Sequence, residues 1–423
     1  MMQNTSEKLP EKVPEKKKGK PVLFLLFLTV FIDLLGFGLV IPVMPTYAQQ
    51  FHASAFVVGC VVASYSLAQF IFTPFWGRLS DKVGRRPIML ISLAASAVGY
   101  LIWGFSNSLL LLFVSRLVAG AGNANIAVAQ AYVADVTNDE TRSKGMGAIG
   151  AAFGLGFVLG PAMGGFLSSK KLLSTIGLAS MADHNMQMIG FVAAFFSILD
   201  LVLTFFLLPE PEKRSHSGEE RFGVGPGFVM QTLTHKNLRT SLAIFFMSTF
   251  AFANMEATIV LLTQQKFAFT AVENSVLFTW IGFWICLVQG GGIHKMARKY
   301  GEKKLISLGT FILIFGLLLT PFMPSVPALY GIMAVLAIGS GINSPSNQSI
   351  LSKLSPGESV GGVLGVGQSL STLGRIVGPL VGGYLFGHCG ENSPYIVGAI
   401  SMAIAFALSL TIPLPDPLKA AKS

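Results

Sequence analysis

Charge is scarce in this sequence. Only 12% of its 423 residues are Asp, Glu, Lys or Arg, about half of the ~25% usual in soluble domains. That deficit excludes an ordinary water-soluble enzyme, and an apolar content of 52% excludes a disordered chain. Cysteine is nearly absent as well. Cys60, Cys286 and Cys389 show no metal or redox spacing, and no nucleophile–base or metal-ligand pattern appears elsewhere. An enzyme, a metal centre and a cofactor are therefore not expected. Alternating segments of about ten residues, the mark of a membrane β-barrel, are missing too. The opening residues lack the apolar core of a signal peptide. Residues 1–20 form a Lys/Glu/Pro tail, and the apolar run behind them is too long for a signal and contains Asp33.

Long apolar runs are what the sequence does have. They fall at about 22–47, 55–76, 87–105, 108–131, 145–167, 187–208, 241–263, 275–293, 304–322, 327–348, 360–386 and 393–413. Each approaches the ~20 residues that cross a bilayer as a helix, so the expected fold is an all-α membrane protein with twelve transmembrane spans. Lys and Arg cluster in the tail, in alternate loops and at the C-terminus. The opposite loops carry only Lys170, Lys171 and Lys266. By the positive-inside rule both termini are cytosolic, and the same rule accounts for the net charge of +10. Because these charges lack aromatic interleaving, nucleic acid is not an expected partner.

Composition changes sharply over 209–240, which reads as a cytosolic linker. It separates a first six-helix bundle at 21–208 from a second at 241–413, with tails at 1–20 and 414–423. The halves also repeat. The fifth span reads G-F-V-L-G-P-A-M-G-G-F-L from Gly156 to Leu167, and the eleventh reads G-R-I-V-G-P-L-V-G-G-Y-L from Gly374 to Leu385. The loop G-R-L-S-D-K-V-G-R-R-P (77–87) is echoed by H-K-M-A-R-K-Y-G-E-K-K (294–304). Parallel six-helix repeats imply two bundles related by a pseudo-twofold axis, with a site between them near the membrane midplane.

Ionisable residues inside the spans are Asp33, Arg116, Asp200, Glu256 and Arg375. A charge at the centre of a lone helix costs at least ~2.5–3.5 kcal/mol, so such residues tend to face a cavity and a partner. Asp33 and Glu256 lie near mid-depth and are candidates for proton or substrate binding, with a buried structural ion pair as the competing reading. Arg116 is the expected neighbour of Asp33, and Arg375 of Glu256. Asp200 lies nearer the inner end of its span and reads as structural. Gln69, Asn123, Asn125, Asn254, Asn343 and Asn347 are candidates for a polar cavity lining or, alternatively, for interhelical hydrogen bonds.

In the fifth span Gly156, Gly160, Gly164 and Gly165 are expected on one close-packing face, with Pro161 kinking the helix. That face is either ordinary packing or an outer seal of the cavity. In the 77–87 loop, Gly77 and Gly84 are expected to make the turn. Asp81, standing among Arg78, Lys82, Arg85 and Arg86, is expected to meet Arg142 or the start of the eleventh span, latching the cytosolic side.

The whole chain resembles the major facilitator superfamily, and within it the twelve-helix drug–proton antiporters that include the tetracycline exporters. The likeness is carried by F-I-D-L-L-G-F-G-L-V-I-P-V-M-P (31–45), the 77–87 loop, R-L-V-A-G-A-G-N-A (116–124) with Y-V-A-D-V-T-N-D-E-T-R (132–142), and the Gly156–Gly165 motif. The resemblance implies a cavity lined by spans 1, 4, 7 and 10. It further implies a monomeric proton-coupled exporter of small amphipathic or cationic molecules in the cell membrane, with protons, substrate and lipid as its partners. A symporter, or a lipid or metabolite transporter, is the alternative on this fold, and a non-transporting receptor is a more distant one. One departure bears on the substrate. Tetracycline exporters carry an acid just before a tyrosine in span 3, where this chain has Gly99 before Tyr100.

Overall fold

The computed structural model describes residues 19–123, 125–137, 139–175, 177, 183–211, 226–355 and 359–412. Most of the 1–20 tail, residues 212–225 of the linker and the 414–423 tail lie outside them, as do the side chains of Asp139, Glu140 and Arg142. The first half comprises α1 (Gly19–Val40), α2 (Met44–Gln50), α3 (Ala55–Val83), α4 (Arg85–Gly104), α5 (Leu109–Gly122), α6 (Asn125–Val136), α7 (Asp139–Ser168), α8 (Lys170–Thr175) and α9 (Asn185–Leu207). The linker contributes α10 (Pro226–Thr234). The second half comprises α11 (Arg239–Phe267), α12 (Ala271–Gly291), α13 (Ile293–Tyr300), α14 (Glu302–Leu319), α15 (Val326–Leu354), α16 (Val360–His388) and α17 (Ser393–Leu410). No strand occurs among the described residues.

Among the described residues, eleven spans are long and apolar enough to cross a membrane. The twelfth expected span is α16, a 29-residue helix whose apolar run is diluted by glycines and Arg375. Local chemistry starts several of these helices. Ser54 and Ser108 cap α3 and α5, Thr270 and Glu273 form a capping box on α12, and Pro394 opens α17.

Two expected spans are broken. Span 1 is interrupted at 41–43, around Pro42, before α2 resumes. Span 4 divides into α5 and α6 at Asn123. The carbonyls freed there are taken by neighbours: Trp76 Nε1 donates to Ala121 O at 2.6 Å, and Ser92 Oγ donates to Gly122 O. A helix break at membrane depth survives only when its backbone groups are satisfied in this way.

Packing repeats between the halves. The α1–α7, α1–α9, α4–α9, α3–α5 and α4–α5 contacts recur as α11–α16, α11–α17, α14–α17, α12–α15 and α14–α15. The two halves meet along α3–α16 and α7–α12. Outward faces at helical spacing stay apolar and exposed, as on α9 (Phe191, Phe195, Ile198, Val202, Phe205) and α14 (Leu308, Phe311, Phe315, Leu318). Such continuous apolar faces suit lipid rather than water.

Glycine explains how closely the helices approach. A Cβ on Gly160 would lie 2.7 Å from Gly38 Cα, one on Gly156 2.6 Å from Leu34 Cβ, and one on Gly164 2.5 Å from Leu39 O, so these three bind α7 to α1. Gly165 departs from the expected single face. It points across to α12, 2.7 Å from Ser275 Cβ, because one further residue turns it about 100° around the helix. The second half copies this arrangement, with Gly374, Gly378 and Gly382 on α11 and Gly383 on α3.

At the ends where α3 and α12 begin, the halves are closed. Gln264 Nε2 donates to Thr46 Oγ1 at 2.9 Å across the seam, Ile41 and Ala55 pack on the second half's core, and Ala271 joins the first half's core. At the opposite end, Gly147 and Gly150 of α7, Gly290 and Gly291 of α12, and Gly361 and Gly365 of α16 have nothing within 4 Å of an added Cβ. Among the described residues the seams thus widen toward the 77–87 loop.

Candidate functional site

The break in span 4 sits beside the buried acid of span 1. Asn125, at the start of α6, turns its amide to the Asp33 carboxyl. Interrupted helices near the midplane are where transporter folds place substrate and coupling-ion sites. Sequence reading missed this break. Its signal was the G-A-G-N-A-N run at 120–125, rich in weak helix formers.

Arg116 does not pair with Asp33. Its guanidinium sits in a cage of rings, 4.8 Å from the Trp103 centroid, 5.4 Å from Tyr100 and 6.0 Å from Tyr65. Its Nη2 has no hydrogen-bond partner. Cation–π attraction to three rings compensates a charge that would otherwise be exposed to an apolar core. Tyr65 and Tyr100 lie within electrostatic range of both Asp33 and Arg116, and Asn123 donates to the Tyr65 hydroxyl.

Asp200, expected as a structural residue, lies within electrostatic range of Asp33. Both aspartates are buried, and Thr204 donates to Asp200 at 3.4 Å. In the second half, Glu256 on α11 is half-buried and Arg375 on α16 is exposed within electrostatic range of it, without a direct ion pair.

The amides expected to line a cavity mostly do not. Asn254 donates to Pro394 O at 2.7 Å, Asn343 to Ser248 Oγ at 2.7 Å, and Asn347 to Ser241 O at 3.1 Å. All three are buried and join α11 to α17 or α15. Period alone does not say which way a polar residue points in a bundle, and here they point into helix contacts. Gln69 is half-buried on α3.

The 77–87 segment also differs from expectation. α3 continues to Val83, so Gly77 is inside a helix, and Gly84 alone turns the chain, at φ +110. Asp81 pairs with Arg85 Nη1 at 2.7 Å, within its own segment. Arg85 is buried and also donates through Nε to Asp135 at 2.8 Å. The expected partner Arg142 lies outside the described side chains. Sequence reading missed Glu210, whose two oxygens accept the backbone N–H of Arg85 and Arg86 at 2.7 and 2.9 Å. Arg86 reaches back to Phe205 O and stacks 5.5 Å from the Phe205 ring.

The family description "Major Facilitator Superfamily" matches residues 26–296 and 293–423. This chain belongs to the major facilitator superfamily. It is 28% identical over 398 residues to tetracycline resistance protein class B of Escherichia coli, covering 92% of this chain and 96% of that protein. It is 30% identical over 405 residues to multidrug resistance protein 1 of Bacillus subtilis, covering 96% and 99%. Its fold is similar to the crystal structure of the human organic anion transporter MFSD10, with TM-score 0.69 and 25% identity over 93% of this chain and all of that one. As a superfamily member it is an integral membrane transporter built from two helical halves.

Proposed function

We propose that this transporter is a proton-driven exporter of small amphipathic or cationic organic molecules. It lies in the cell membrane as a monomer with both termini cytosolic. Its halves rock about a central site, and Asp33 exchanges a proton for substrate. On this orientation the conformation described here opens to the cytosol. The observation that supports the reading most is Asp33 itself: a buried carboxyl, in no ion pair among the described residues, beside the break in span 4 and in contact with the Asn125 amide. Tetracycline and multidrug resistance relatives support export.

The experiment is pH-gradient-driven transport in proteoliposomes. Wild type is expected to accumulate a lipophilic cation uphill. Asp33→Asn should fold, bind and exchange substrate downhill, but lose uphill accumulation, because its side chain cannot release a proton. Retained uphill transport would remove Asp33 as the coupling site and leave Glu256 as the lead.

A second reading takes an organic anion as substrate. The unpartnered Nη2 of Arg116 and the exposed Arg375 favour it, and the MFSD10 relative is described as an organic anion transporter. Competition between a lipophilic cation and an organic anion in the same vesicles separates the two.

A further inference from the structure

Asp33 has a counterpart that the site described so far does not use. α1 and α9 are packed together and, as the first and sixth of alternating spans, run antiparallel. Thr29 Oγ1 and Thr204 Oγ1 share a hydrogen bond of 3.3 Å across them. One helical turn from Thr29 along α1 is Asp33. One turn from Thr204 along α9 is Asp200. Antiparallel helices joined at Thr29–Thr204 therefore bring the two aspartates to one level, facing each other. The Thr204 hydroxyl donates to Asp200 Oδ1, while Asp200 Oδ2 is buried with no partner. Among the described residues no Lys, Arg or His forms an ion pair with either acid. Besides Asp200, the groups on other helices that interact with Asp33 are Asn125, Tyr65 and Tyr100, and Arg116 is held against the rings of Tyr65, Tyr100 and Trp103.

Burial and a facing like charge each disfavour the ionised form of a carboxyl, so two buried carboxyls facing each other without a cation are best served by one proton between them. We propose that Asp33 and Asp200 form a carboxyl pair that holds one proton and passes it between the two helices. Asp200 is then a second member of the coupling site, behind Asp33 as seen from Asn125. In the transfer one O–H bond on Asp33 breaks and one on Asp200 forms, and the negative charge moves from Asp200 to Asp33. A sodium ion would need several oxygens aimed at one point, and transport in sodium against choline separates it from a proton. This inference rests on the reading of the chain as a proton-driven exporter.

The test uses the full chain in proteoliposomes, with uphill and downhill transport of one lipophilic cation measured for wild type, Asp33→Asn, Asp200→Asn and the double variant. Asp200→Asn is expected to keep downhill exchange within about twofold and to lose about tenfold or more of uphill accumulation, and the double variant to be no worse than Asp33→Asn, since both belong to one unit. Undiminished uphill transport by Asp200→Asn, or losses that multiply in the double variant, overturn the pair. If Asp200→Asn does not fold, Thr204→Val replaces it. That variant removes the positioning hydroxyl, leaves both carboxyls, and should lower the ratio of uphill to downhill transport; an unchanged ratio counts against the pair. Transport that requires sodium, with choline inactive in its place, assigns the seam to an alkali cation and overturns the proton. A wild type that accumulates no substrate under a pH gradient defeats the exporter reading instead. The pair is then read from the infrared band of protonated carboxyl, expected in wild type and lost or displaced in Asp200→Asn, and an unaltered band overturns it.

Discussion

Two glycines show how much a single absent side chain decides. Gly84 turns the chain between α3 and α4 at φ +110, and a Cβ there would lie 2.5 Å from Glu210 Oε1. Gly84→Ala therefore strains the backbone and displaces the carboxylate that caps α4, with an expected loss of about 1–3 kcal/mol. The measurement is thermal unfolding in detergent, with a drop of several degrees expected; an unshifted Tm would mean that Glu210 moves aside at no cost. Gly99 stands where tetracycline exporters have an acid. A Cβ on it would meet the Ala119 backbone nitrogen at 2.7 Å. α4 and α5 are too close there for any side chain, so Gly99→Asp is expected to destabilise the first half rather than confer tetracycline transport. Expression and Tm of that variant check it, and a stable variant would show that α5 can shift.

Helices in this protein are joined by two repeated devices. The first is the glycine face of α7 and its copy on α16. Gly160→Leu drives a side chain into Gly38 on α1 and should prevent the first half from packing, read as loss of folded protein. Gly165→Leu acts on the seam with α12 instead, so folded protein should survive while vesicles leak protons. Finding the same outcome for both would show that the two faces are not separate in function. The second device is a charged clamp at the open end. Arg85 binds Asp135 in the first half, and Glu302 binds Lys353 in the second. Gly84 aligns with Gly301, which places Glu302 at the position of Arg85, and Lys353 stands as far from Asp135 as Gly374 does from Gly156. The clamps are equivalent with their charges exchanged. Asp135→Lys should cost about 3 kcal/mol by leaving Arg85 buried against a like charge. Adding Arg85→Glu rebuilds the pair with the second half's polarity and should recover part of the lost Tm; no recovery would mean that Asp81 and Ser80, which also touch Arg85, demand a cation there.

For the whole molecule, access depends on which ends of the two seams are closed. The Gln264–Thr46 hydrogen bond and the glycine contacts at Ala55 and Ser275 close one end, and among the described residues no such contact at a seam glycine closes the other. Alternating access requires that hydrogen bond to break in each cycle. A short, reducible thiol cross-linker between Thr46→Cys and Gln264→Cys, in a chain lacking Cys60, Cys286 and Cys389, should stop transport, and reduction should restore it. Transport that continues through the cross-link would show that this end never opens.

Membrane insertion is a local matter. Each span is decided by the apolar content of about 20 neighbouring residues and the charges flanking them, so the sequence alone determined the spans, the two halves with their repeated motifs, the family, and a carboxyl at mid-depth in span 1. Which way a side chain points is not local. The azimuth of a helix and its register against its neighbours come from contacts that meet across the bundle, such as Gly156, Gly160 and Gly164 on Gly38 and its neighbours. For that reason only the tertiary structure decided that Asn254, Asn343 and Asn347 face helix contacts, that Arg116 is caged by rings instead of paired with Asp33, and that Glu210 caps α4 from far along the chain. It also placed Asp200 on α9 at the level of Asp33 on α1, because the Thr29–Thr204 hydrogen bond sets the register of two helices that are distant in sequence and adjacent in the bilayer.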